Sequence, residues 1–171
     1  MKEKFILYTN TFFIYSFIGY LAETFLKTFI FKNMNNGILY GPWIPVYGFG
    51  SVMIIVIMRF IFNRVKVKRI YKIILTVLIS MLLVTIIELI GGIIIEKLFH
   101  KVFWNYDSFK YNIGHYISIE MTILWGAMSL FIIYVINPFV NKILKKIPNI
   151  FTYLVLVIFL IDNIVTCITK L

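Results

Sequence analysis

Acidic side chains lie inside stretches of this sequence that are otherwise almost wholly apolar. Glu23, Glu88 and Asp162 each interrupt a run of Ile, Leu, Val and Phe that is long enough to cross a membrane. An acid in such a run costs about 2.5–3.5 kcal/mol on insertion scales, so it is usually paired or lines a wet cavity. For Glu88 and Asp162 two interpretations stay open, a hydrogen-bonded structural carboxyl and a group that binds a ligand.

The acids share helical faces with small and polar residues. Side chains three or four positions apart lie on one face of a helix, and small residues on that face let a second helix approach closely. These faces are therefore predicted to contact protein and not lipid. The stripes are Tyr15, Gly19 and Glu23; Thr85, Glu88, Gly92 and Glu96; His115, Ser118, Thr122, Trp125, Gly126 and Ser129; and Asp162, Thr166 and Thr169.

The elements that carry these stripes are membrane spans. The 171 residues are 61% hydrophobic and 14% charged, with a mean hydropathy of +0.95, which exceeds what a soluble core buries. A span needs about 20 apolar residues, and such runs lie near 5–31, 38–62, 70–95, 114–137 and 149–169. The first run continues through "GYLAETF" without a cleavage site and is expected to be retained. The predicted fold is all-α, a polytopic helical bundle forming one transmembrane domain over residues 1–171.

Basic residues lie at the ends of the apolar runs, a distribution that encodes orientation and not nucleic-acid binding. Five spans with a cytoplasmic N-terminus and an extracytoplasmic C-terminus in the cell membrane place eleven basic residues inside and six outside. The basic connection between the second and third runs is expected to contact anionic lipid headgroups, or alternatively to dock a soluble partner. The inner set is Lys2, Lys4, Arg59, Arg64, Lys66, Lys68, Arg69, Lys72, Lys142, Lys145 and Lys146, and the outer set is Lys27, Lys32, Lys97, Lys101, Lys110 and Lys170.

The stretch "NNGILYGPWIPVYGFG" (35–50) places two prolines and four glycines at the start of the second run. Irregular backbone at membrane depth is tolerated only where protein or water surrounds it. One interpretation is a bent or re-entrant start whose freed carbonyls, together with Tyr47, face the acids. The alternative is a loop that ends where the helix begins near Tyr47, with Pro42 and Pro45 at a helix start.

With this orientation, the acids and the irregular stretch all lie in the outer half of the membrane. An acidic pocket lined by carbonyls is expected to prefer a cationic or hydroxyl-rich ligand. His115 is either an interfacial residue or a proton relay, and Trp104 and Tyr106 in the connection 97–113 are either headgroup anchors or ligand stackers. The predicted ligand-binding residues are Tyr15, Glu23, Gly41, Pro42, Pro45, Tyr47, Glu88, His115, Trp125 and Asp162.

No catalytic residue, metal ligand or cofactor is predicted. The sequence lacks the phosphate-binding G-x-x-x-x-G-K-[ST] pattern, H-E-x-x-H and G-x-S-x-G. Its single cysteine, Cys167, excludes an internal disulfide.

Several segments resemble a bacterial family of putative ABC-transporter type IV permeases, also called CmpB-like. They are "YSFIGYLAE", "NNGILYGPWIPVYGFG", "FWNYDSF", "NIGHYISI" and "LWG", and the resemblance covers about Phe12 to Pro138. It implies a small polytopic protein with an export or permease function. The sequence departs from the family pattern at Tyr20, where tryptophan is usual, at Asn105, where aspartate is usual, and at Asn36 and His115, where arginine is usual.

The predicted function is a transport component that binds a small solute, a lipid headgroup or a cation in a polar cavity in the outer half of the membrane. Because no nucleotide site is present, ATP-driven transport would need a separate ATPase subunit, and a homo-oligomer is the other way to complete a path. One alternative is an intramembrane or lipid-modifying enzyme that uses Glu23, Glu88 and Asp162 as acid and base. Another is a structural accessory subunit.

The orientation predicts the accessibility of two engineered cysteines, made in a Cys167→Ser background. A Lys66→Cys variant should react with a membrane-impermeant thiol reagent only from the cytoplasmic side, and Lys170→Cys only from the outside. Labelling of intact cells and of inverted vesicles measures both. Reaction at position 66 from the outside would reverse the predicted orientation and would place the acids in the inner half of the membrane.

Overall fold

The structure, a computed structural model, describes residues 2–29, 37–66 and 68–170. Within these ranges five helical segments are long and apolar enough to cross a membrane, which confirms the predicted all-α membrane fold. The elements in chain order are α1 (Lys2–Phe29), α2 (Pro45–Arg64), α3 (Arg69–Phe99), β1 (Asn112–Ile113), β2 (Ile117–Ser118), α4 (Ile119–Phe131), a π-helix (Ile132–Ile136), α5 (Asn137–Leu144) and α6 (Asn149–Lys170).

The second and fourth spans begin later than the hydropathy pattern predicts. Residues 37–44, here called the lead-in segment, are non-helical, and α2 begins at Pro45. The fourth span begins at Ile119 and not at residue 114, because strands β1 and β2 pair as an antiparallel hairpin before it. Residues 30–36 lie outside the described residues, and with them the end of the first predicted run, Lys32 and Asn36.

The fourth span contains a wide turn. Its π-helix separates α4 from α5, and the amide of Asn137 bonds to the carbonyl of Ile132, five residues back. The cause lies at the next residue, Pro138, which lacks an amide donor and whose ring crowds the carbonyl four positions earlier, that of Tyr134. One additional residue in the turn relieves this crowding and lets the span continue to Leu144.

Apolar side chains lie outside and small polar ones lie inside. Leu82 is 63% exposed and Ile168 is 77% exposed, as expected for surfaces that contact lipid. In a bilayer, close approach of helices depends on small residues and hydrogen bonds more than on burial of large apolar groups. The buried hydroxyl residues are Thr11, Ser16, Ser51, Thr76, Ser80, Ser118, Ser129, Thr152 and Thr166.

The described chain divides into two compact units, 1–49 with 140–171, and 50–139. In the first unit, rings of α1, the lead-in segment and α6 form an aromatic cluster. The Phe159 ring lies 5.5 Å from Phe12, 5.4 Å from Phe13 and 5.8 Å from Trp43, measured between ring centroids. Gly48 lets the start of α2 approach Phe12 so closely that a Cβ there would overlap its side chain. This packing fixes the lead-in segment against both helices.

The second unit is built on the packing of α3 against α4. Thr85 and Thr122 share a hydrogen bond of 2.9 Å between their hydroxyl oxygens. Gly126 of α4 faces Met81, and a Cβ at position 126 would meet that side chain. The predicted stripe of small residues therefore does contact a neighbouring helix.

Adjacent glycines in α3 provide a matched test of this packing. A Cβ at Gly92 would overlap the Tyr116 ring, whereas one at Gly91 would lie 3.8 Å from Trp104, an ordinary contact. Gly92→Ala should lower the unfolding free energy by about 1–3 kcal/mol through overpacking, whereas Gly91→Ala should be neutral or stabilising by up to about 1 kcal/mol. Unfolding in detergent measures both, and equal effects would contradict the described position of Tyr116.

Candidate ligand-binding sites

The carboxylate of Asp162 in α6 binds the lead-in segment. Its Oδ1 accepts a hydrogen bond from the amide of Tyr40 at 3.0 Å. Its Oδ2 accepts from the amide of Gly41 at 2.9 Å and from Trp43 Nε1 at 2.6 Å. One turn along α6, the hydroxyl of Thr166 donates to Oδ1 at 3.3 Å. A single acid thus receives four hydrogen bonds from this chain.

The end of α6 extends this attachment. The Tyr40 hydroxyl shares a 2.9 Å hydrogen bond with Thr169. Lys170 donates from Nζ to the carbonyl of Ile38 at 2.6 Å, and its Nζ lies 4.3 Å from the centroid of the Tyr40 ring. Asp162, Thr169 and Lys170 are spaced to lie on one helical face. That face holds the non-helical residues in place.

The lead-in segment meets the acid through amides, whereas the sequence led us to expect carbonyls. The reason is electrostatic, because a carboxylate accepts hydrogen bonds and repels carbonyl oxygens. The helix itself begins with Pro45, at a position where no amide donor is needed. The irregular Gly/Pro-rich start of the second run is thus observed as the bent, non-helical residues 37–44 that precede α2.

Glu23 and Tyr47 also lie in the first unit. The Tyr47 hydroxyl donates to Glu23 Oε1 at 3.0 Å. Gly19, one turn before Glu23, lies directly against the Tyr47 ring, and a Cβ there would overlap it. Tyr15, one turn earlier again, is 2% exposed. The predicted stripe of α1 therefore packs on the start of α2.

The second unit contains a different acidic site, centred on Glu88. This residue of α3 is 7% exposed. Its Oε1 accepts from the Tyr106 hydroxyl at 3.0 Å and from Trp125 Nε1 at 2.9 Å. No described residue donates to the other oxygen, Oε2. Two donors thus hold the side chain in place by one atom, and half of the carboxylate is left to accept a further partner.

Residues 100–118 position Tyr106 over Glu88. The amide of Tyr106 donates to the carbonyl of His115 at 2.8 Å, which ties the connection to the hairpin. Trp104 packs edge-on against Tyr116, with ring centroids 5.7 Å apart. Sequence reasoning treated Trp104 and Tyr106 as headgroup anchors or ligand stackers and missed the contact with Glu88. No local pattern signals it, because the two residues are 18 positions apart.

His115 lies on the hairpin, outside the helix that carries the rest of its predicted polar stripe. Its Nδ1 is 2.8 Å from Asp107 Oδ2, and both side chains are about half exposed. Hydrogen bonds with Asn105 and with His115 hold the pKa of Asp107 below its ordinary value. His115 and Asn105, two departures from the family pattern, therefore share one acid.

The predicted site residues fall into both units. The first holds Tyr15, Glu23, Gly41, Pro42, Pro45, Tyr47 and Asp162, and the second holds Glu88, His115 and Trp125. That they line one common cavity remains a prediction. Among the described residues, no group of three or more His, Cys, Asp or Glu side chains could hold a metal ion.

Five apolar spans, with acids held inside by aromatic and backbone donors, define a polytopic α-helical membrane protein. The sequence profile of a family described as "Putative ABC-transporter type IV" (CmpB) matches residues 10–169. The chain belongs to this family, which confirms the resemblance drawn from its motifs. No curated protein and no solved structure gives a significant match.

The geometry of Asp162 predicts a structural penalty for its replacement. In an Asp162→Asn variant one oxygen becomes an amide donor, and in either orientation it faces two donors, those of Gly41 and Trp43 or those of Tyr40 and Thr166. Leaving such groups unpaired costs about 1–3 kcal/mol each, so the variant should unfold at a clearly lower temperature in detergent. Asn163→Ala is the control, since the side chain of Asn163 bonds within its own helix, to the Phe159 carbonyl at 2.6 Å. Equal stability of the two variants would contradict the attachment described here.

Proposed function

We propose that this protein is the membrane-spanning component of a transporter and that Glu88 is the group that holds its ligand. Membership of the ABC-transporter family and the five apolar spans support the first part. The observation that carries the second part is the half-used carboxylate of Glu88, whose Oε2 receives no hydrogen bond from a described residue.

Comparison of the two best-defined acids supports the choice of Glu88. A carboxylate has about four lone-pair positions, and the four donors of Asp162 occupy that capacity. A ligand at Asp162 would have to displace the chain's own amides. Glu88 needs no such displacement, because its two donors meet on one oxygen.

The surroundings of Glu88 favour a cationic ligand. Tyr106 and Trp125 fix the acid and place aromatic rings beside it. A carboxylate oxygen with unused acceptor capacity attracts a cation, most strongly where water is excluded. Small organic cations are therefore the preferred class, and hydroxyl-rich solutes, which can donate to Oε2, come second.

A separate ATPase subunit supplies the energy in this proposal, since the chain has no nucleotide-binding motif. The exposed basic surface formed by Arg64, the last residue of α2, and by Lys66 and Lys68 after it is the surface that we propose for its docking. Contacts between charged groups on this surface and on the ATPase would set the orientation of the two subunits.

Replacing Glu88 by glutamine tests the assignment, because the change keeps the shape and an acceptor for Tyr106 and Trp125 while removing the charge. Choline, spermidine and glycerol serve as probes, and binding to the purified protein is measured by calorimetry. Glu88→Gln should bind the preferred cation about tenfold more weakly or worse, as is typical when a charge pair is lost.

Glu96→Gln is the matched control, since it removes one exposed charge from the same helix. It should leave both binding and unfolding temperature near those of the wild type. If Glu88→Gln retained full affinity for the bound cation, Glu88 would not be the ligand group. If it merely lost stability, the carboxylate would be structural.

A further inference from the structure

A cavity of about 330 Å³ opens in the second unit, among α2, the start of α3 and the π-helix. It lies apart from Glu88, at the basic end of these helices. Its polar lining consists of two cations and three neutral groups that can hydrogen bond. These residues are Arg59, Asn63, Lys72, Tyr134 and Asn137.

The rest of the lining is apolar. Ile55 and Met58 are 7% and 4% exposed and lie deeper along α2 than Arg59. Phe62 and Ile133 complete the apolar wall. In α2 the lining residues recur at three- and four-residue spacing, so they occupy one helical face. The cavity therefore has an apolar interior and a basic mouth.

Among the residues that the structure describes, no acidic side chain pairs with the cations of this mouth. No aspartate or glutamate is among the lining residues. In the described part of the chain, neither Arg59 nor Lys72 forms an ion pair. The Nζ of Lys72 instead lies 5.2 Å from the centroid of the Phe62 ring. Two cations at the edge of an apolar region attract an anion strongly, because water there screens them incompletely.

The π-helix contributes one wall of the cavity. Ile133, Tyr134 and Asn137, which lie in or directly after it, line this wall. Single π-helical turns are frequent at functional sites.

We propose that this cavity binds the phosphate headgroup of an anionic phospholipid, with Arg59 and Lys72 on the phosphate and an acyl chain along the apolar wall. Basic pockets between membrane helices are suited to such headgroups. The amphipathic lining favours a lipid over free phosphate, because inorganic phosphate has nothing to place against Ile55 and Met58.

The test uses the full chain, purified in detergent and titrated with phosphatidylglycerol, phosphatidylcholine or inorganic phosphate, with lipid retention read by native mass spectrometry. Wild-type protein should retain phosphatidylglycerol in preference to phosphatidylcholine. The double variant Arg59→Gln with Lys72→Gln should bind phosphatidylglycerol about tenfold more weakly or worse, since each basic residue near the membrane surface adds to the attraction of an anionic headgroup.

Arg64→Gln with Lys68→Gln is the matched control, as it removes two charges outside the cavity lining. This control variant should keep most of the wild-type affinity for phosphatidylglycerol. Asn63→Lys adds a cation at the exposed mouth and should strengthen binding, which gives a readout that does not depend on a destabilised variant. Equal losses in the two double variants would overturn the site in favour of general surface attraction. Competition by inorganic phosphate at lipid concentrations would overturn the lipid assignment.

Discussion

In a bilayer the polar groups of a protein must find partners within the protein, since the hydrocarbon offers none. The lead-in segment of this chain shows the constraint most clearly, because its amides are not paired in a helix. Asp162 receives the amides of Tyr40 and Gly41, and the indole of Trp43 completes the contact. Non-helical backbone is therefore held in place by one carboxylate that lies 121 residues from Gly41 in the sequence.

The same kinds of donor recur at Glu23, Glu88 and Asp162, the three acids that interrupt the apolar runs. An indole nitrogen meets Asp162 and another meets Glu88, while tyrosine hydroxyls meet Glu88 and Glu23. Indole and phenol groups suit this purpose because each combines a large apolar body with a single polar tip. They can satisfy a carboxylate without adding a second charge to the membrane interior. The acids differ in how many of their lone-pair positions these donors occupy.

Glycine positions decide how near two tyrosine rings come to the helices. Gly19 admits the Tyr47 ring and Gly92 admits the Tyr116 ring, each at a distance that a Cβ would prevent. Close contacts of this kind take the place of the large apolar core of a soluble protein. Burying apolar side chains between helices gains little in a bilayer, because lipid is equally apolar. The apolar residues are then left for the lipid-facing surface, as the exposed Leu82 illustrates. At Glu23 the hydrogen bond and the packing thus depend on the same glycine, Gly19, since it admits the ring of the donor Tyr47.

The sequence alone determined the number of spans and the faces that would meet protein. Runs of about 20 apolar residues can do little else than cross a membrane, and the stripes around Glu88 and Asp162 identify the inner faces. The family followed from local motifs. Only the tertiary structure decided which donor meets which acid, that the fourth span begins at Ile119, and that a basic cavity opens beside the π-helix. These depend on pairs such as Glu88 with Trp125, which are 37 residues apart. Such pairs form only when helices pack, so no pattern within one helix specifies them.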